Sequence, residues 1–113
     1  MGIRIVSLSM APKEILELLM GEIDGDLIHH TFHELKEGKG FGSLVFERFY
    51  PRENHQRMLV VQAEKIQGIT NGTIITSSNP EEWRFQLDWD NEDDFMDDVM
   101  KLLDEYILEE EEG

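Results

Sequence analysis

Three histidines stand close together in the chain, His29, His30 and His33, with Glu34 next to the last of them. Imidazole and carboxylate both ligate metals, but a metal centre needs three or four converging ligands, and Glu34 is the only obvious local supplement. His29 and His33 share a face on a helix. They also share one on a strand, where they stand too far apart to chelate without another ligand. His33 and Glu34 do not continue into the paired-histidine pattern of zinc proteases. A surface strand carrying histidines accounts for the run, and no metal is expected. The run 88–94 alternates oxygen-bearing side chains like the opening of a calcium loop. However, Asp93 stands where that loop needs glycine, and Val99 where it needs a bidentate glutamate. A helix N-terminus with extra acids explains the same residues. Gly38, Gly40 and Gly42 match neither phosphate-loop nor dinucleotide spacing and precede a strand rather than a helix, so they read as a hairpin loop. Arg48, Arg52 and Arg57, around Phe49 and Tyr50, form the basic cluster of the chain. It suits either a phosphate or carboxylate ligand, or ion pairing with the acids of the last helix.

No cysteine is present, which removes disulfides, thiolate catalysis and cysteine-ligated metals. Serines, histidines and acids occur without the local context of an activated nucleophile, so no catalytic residue is assigned and no cofactor is expected. The Asn71, Gly72, Thr73 sequon reads as a turn, there being no secretion signal at the N-terminus.

Charge is the most uneven property of the chain. Of a net charge of −15, the last 26 residues carry −12, with 13 acids against the single base Lys101. Such a surface repels nucleic acid and anionic membrane and attracts basic partners or divalent cations. No apolar run approaches the roughly 20 residues needed to span a bilayer. A cytoplasmic location is expected.

A chain of 113 residues holds one domain with one core. Ile3 to Leu8 alternate as a short strand. Pro12 then opens a helix whose apolar stripe is Ile15, Leu16, Leu19 and Ile23, with Gly25 as a left-handed stop. Residues 27–35 fit both periods and are read as a strand. Two more strands follow at 44–49 and 57–65. Asn71-Gly72 is the best two-residue hairpin turn, and Trp83, Phe85, Leu87 and Trp89 mark the clearest alternating strand. Asn91 caps a last helix with the apolar stripe Phe95, Val99, Leu102, Leu103 and Tyr106 and a solvated acidic face. Glu109 to Glu112 would oppose the dipole at its C-terminus, so 109–113 is expected to be a frayed acidic tail beyond a domain of residues 1–108. The fold expected is α+β: an antiparallel sheet of about five strands packed against an early and a C-terminal helix.

The strand Leu44, Val45, Phe46, Glu47, Arg48, Phe49, Tyr50, then Arg57 and an apolar strand, a Thr/Ser-rich segment, an aromatic strand and an acidic helix, together resemble a family of small bacterial proteins of unknown function, chiefly from Firmicutes. The resemblance spans about residues 12–106. It implies a small α+β domain, no activity, and no functional residue to carry over. The chain departs from that pattern before the last strand, where Ser77, Ser78, Asn79 and Pro80 replace a glycine-rich turn.

Two functions are expected from these features. The first is a non-enzymatic cytoplasmic domain that binds a basic protein through the acidic helix, with Asp94, Asp97, Asp98, Asp104 and Glu105 as contacts; blocking a nucleic-acid-binding site is its sharper form. The alternative is a small-molecule or metal-binding pocket between sheet and helix, with Arg48, His29, His33 and Trp89 at its mouth. Either a monomer or a homodimer paired through a sheet edge fits the pattern.

Overall fold

The computed structural model describes residues 2–51, 54–78 and 94–111. Strand β1 (Gly2–Leu8) leads into helix α1 (Pro12–Glu22), followed by β2 (Asp26–Glu34), β3 (Gly40–Tyr50), β4 (His55–Lys65) and β5 (Thr70–Ser78). Helix α2 (Asp94–Leu103), a single 3₁₀ turn (Asp104–Tyr106) and β6 (Ile107–Glu111) complete the described chain. The six strands form one antiparallel sheet in the order β2-β3-β4-β5-β1-β6. The fold is thus α+β, with two helices among the described residues on one face of the sheet and no described helix on the other, the helix-free side.

Alternation decides which face the helices cover. Val6 and Leu8 of β1, Leu44 and Phe46 of β3, Leu59, Val61 and Ala63 of β4, and Ile74 of β5 are buried on one side. Against them pack Ile15, Leu16 and Leu19 of α1 and Phe95, Met96, Val99 and Leu103 of α2. Each fully buried aliphatic or aromatic side chain here is worth about 1.5–3 kcal/mol relative to exposure, which makes this layer the main source of stability.

Helix α1 starts where Pro12 needs no hydrogen-bond acceptor, and the Glu14 carboxylate accepts the Ala11 N–H at 3.2 Å. It stops as Ile23 turns extended, its N–H still bonded to Leu19 O. Gly25, expected as a left-handed stop, is absent from the positive-φ residues. Its missing side chain serves packing instead: a Cβ there would lie 3.2 Å from Glu47 O and 3.4 Å from the Phe95 ring.

Two further expectations are corrected. Asn71-Gly72 is not a hairpin turn but lies inside β5, opposite Glu64 and Ala63, because a Cβ at Gly72 would come within 3.0 Å of Leu8 and its absence lets the core close. The β4–β5 connection is residues 66–69, with Gly68 at φ +79°. Nor do the C-terminal acids fray. The helix ends at Leu103, so Glu109, Glu110 and Glu111 escape its dipole, and 107–111 join the sheet as β6; the six strands among the described residues accord with the expected antiparallel sheet of about five. The ambiguous segment 27–35 is strand β2. The aromatic alternation 83–89, Asn91 and Arg52 lie outside the described residues.

Candidate functional site

Among the described residues, acids of the C-terminal third stand on α2, on the 3₁₀ turn and along the edge strand β6. Asp97 of α2 and Asp104 and Glu105 of the 3₁₀ turn are exposed, and so are Glu109, Glu110 and Glu111 of β6. Asp94 is the first residue of α2. The chain can leave the helix and enter the sheet because Ser9 N–H bonds to Tyr106 O at 2.8 Å and Ile107 turns extended. Within β6, Glu110 lies opposite Val6 on the helix-bearing side and accepts a bond from Arg4 Nη1 at 2.8 Å. Glu109 and Glu111, opposite Ser7 and Ile5, point to the helix-free side. Crowding of negative charge is felt by Tyr106. Its phenol is held above the ordinary range, chiefly by the charge of Glu105, then by its hydrogen bond to Glu105, with a smaller contribution from Glu14.

Asp98 is different from its neighbours, because it is already engaged. Arg48 Nη2 donates to Asp98 Oδ2 at 2.9 Å, Nη1 to the Tyr50 hydroxyl at 3.1 Å, and Nε to Asp24 O at 2.7 Å. Its guanidinium also lies 4.2 Å from the Phe95 ring centroid. Burial disfavours the charge, but the bonds to Tyr50 and Asp98 outweigh it and raise the pKa of Arg48. These contacts tie α2, β3 and the end of α1 together. The guanidinium is therefore a latch of the fold rather than the mouth of a pocket.

The other residues expected at that mouth lie elsewhere. Arg48 shares the helix-bearing side with Leu44 and Phe46, whereas His29 and His33 lie opposite Val45 and Phe41 on the helix-free side. The structure does not bring them together, and Trp89 is outside the described residues. His33 stacks on Phe41, ring centroids 5.0 Å apart. His30 falls on the helix-bearing side, so the alternation of β2 splits the histidine run. Among the described residues, no group of three or more histidines and acids is placed to hold a metal ion.

The helix-free face holds a shallow cleft of about 410 Å³ beside His33 and Phe41, with Gln62, Glu64, Asn71 and Thr73 along it and Thr31 Oγ1 3.1 Å from Ser43 Oγ. Sequence reasoning did not find this grouping, since its members come from four strands and meet only through the strand register. The edge position of β6 was equally hidden.

No family model matches this chain, and no curated protein or solved structure does. Among the described residues, no helix is long and apolar enough to cross a membrane.

Proposed function

We propose that this protein is a non-enzymatic binding module whose acidic flank, formed by α2, the 3₁₀ turn and β6, receives a basic protein partner. The observation that carries this reading is the seating of Glu109, Glu110 and Glu111 in a hydrogen-bonded strand beside Asp104 and Glu105. Carboxylates on a fixed strand hold their spacing, so a basic partner meets them without first ordering a tail. Arginines take up Asp98 and Glu110 in the ion pairs described, which leaves Asp97 exposed on α2, Asp104 and Glu105 on the 3₁₀ turn, and Glu109 and Glu111 on β6. Their summed field steers a basic surface toward the edge and raises the association rate.

A labelled peptide rich in lysine and arginine, followed by fluorescence anisotropy, tests the reading. Affinity should weaken about tenfold or more between low and physiological salt, as expected for contacts between exposed charges. Asp97→Lys combined with Asp104→Lys should weaken it mainly by slowing association, without loss of fold. Affinity indifferent to salt and to both substitutions would contradict the proposal. Asp98 is excluded from the test because its replacement would release the Arg48 latch.

A further inference from the structure

The two edges of the sheet are unlike. At one end β6 is five residues long and carries Glu109, Glu110 and Glu111, a charged edge of the kind that discourages pairing with its own copies. At the other, β2 is nine residues long with no proline and no lysine, and seven of the nine are exposed. Leu27, Ile28, Leu35 and Met20 of α1 add exposed apolar surface around this edge, Ile28 being 54% accessible. A long, exposed, weakly charged edge strand is a template for another strand.

The backbone of β2 fixes which groups are on offer. Leu35 N–H bonds to Lys39 O, and the pairing with β3 is regular from His29 to Glu34 after a bulge beyond Leu27. In an antiparallel ladder alternate residues bond to alternate sides. Odd-numbered residues of this stretch therefore bond to β3, and His30, Phe32 and Glu34 direct their N–H and C=O groups outward.

We infer that the protein forms a two-fold homodimer through β2, in which β2 pairs antiparallel with β2 of a second copy, centred on Phe32. Phe32 then exchanges both backbone bonds with its copy, and His30 does so with Glu34 of the other chain, twice by symmetry. The register follows from charge. Centring on His30 would set Asp26 against Glu34, two acids face to face, and would run pairing through the bulge. Centring on Thr31 would set His29 against His33. Only the Phe32 centre opposes each His30 to a carboxylate, whose oxygen accepts the imidazole N–H, and keeps the pairing within the regular stretch.

Net charge does not forbid this assembly. Residues 26–39 hold three acids, Asp26, Glu34 and Glu37, against Lys36 and Lys39, a balance of −1. The β6 edge lies five strand spacings away, roughly 24 Å, beyond the screening length of about 8 Å at physiological salt. The acidic edges face outward at the two ends of a twelve-stranded sheet, so growth stops at the dimer and both partner-binding flanks stay open.

Sedimentation equilibrium tests the assembly. The native chain should reach twice the monomer mass as concentration rises. Glu34→Pro should hold it monomeric, because proline removes an N–H that no described strand of the monomer uses, and its circular dichroism should match that of the native protein. His30→Glu and Glu34→Lys should each raise the dimer dissociation constant about tenfold by opposing like side chains, and the two together should restore it. A chain that stays monomeric to millimolar concentration would overturn the inference. So would a dimer that the single charge variants weaken but the double variant does not recover, or one that persists undiminished in all of these variants.

Discussion

Arg48 shows how a residue that looks like a ligand group in the sequence is consumed by the fold. Its guanidinium donates to a carbonyl, a phenol and a carboxylate, and covers the face of Phe95. Tyr50 is two residues away and pairing with an acid of the last helix was expected from charge, but the choice of Asp98 and of Asp24 O depends on how distant segments meet. Replacing Arg48 by alanine removes the bond to Asp24 O and the ties from β3 to Asp98 and Phe95 of α2. The expected loss is about 2–4 kcal/mol in chemical denaturation, because charge-assisted bonds to partly buried groups are lost together. Arg48→Lys should recover less than half of it, since an ammonium cannot span the fork of three acceptors. Wild-type stability in Arg48→Ala would show that the latch is ornamental. The histidines teach the complementary lesson. His29 and His33 look like a chelating pair by number, yet the strand period holds them along one face with Thr31 between them, and His33 spends its ring on Phe41.

At the scale of elements, the alternating and helical periods carried most of the information. The first strand, both helices and the strands at 44–49 and 57–65 follow from apolar spacing, because one covered face leaves a clean in-and-out pattern. Glycine defeated the reading where it serves packing rather than turning. Gly72 sits in a strand under Leu8, and Gly42 lies where a Cβ would come 2.4 Å from Thr31 O and 2.8 Å from Leu16. Both look like loop residues in one dimension. Gly42→Ala should push β2 away from β3 at a cost of about 1–3 kcal/mol, in line with overpacking elsewhere. Amide exchange should then rise first in 31–34, where β2 opposes the substitution; faster exchange confined to α2 would contradict this placement. The sixth strand was missed for an electrostatic reason. A run of glutamates favours neither a helix C-terminus nor a strand on its own, and only pairing with β1 and the Arg4 bond to Glu110 makes a strand of it.

Over the whole molecule, the strand order turns a property of the sequence into one of space. Glu109, Glu110 and Glu111, adjacent in the chain, become the acids of one sheet edge, while the histidine-bearing strand becomes the other edge. The distribution of charge was legible from the sequence. The separation of the β6 glutamates from the β2 edge was not, because it depends on β1 inserting between β5 and β6, a long-range pairing with no local signature. The acidic flank is the surface on which the functional account rests. It is tested most directly by titrating a lysine- and arginine-rich peptide into isotope-labelled protein at low salt and following backbone amide shifts. Saturable changes confined to α2, the 3₁₀ turn and β6, reversed by added salt, are the result the account predicts. Changes centred on the helix-free face around His33, Gln62 and Thr73, or none anywhere, would contradict it.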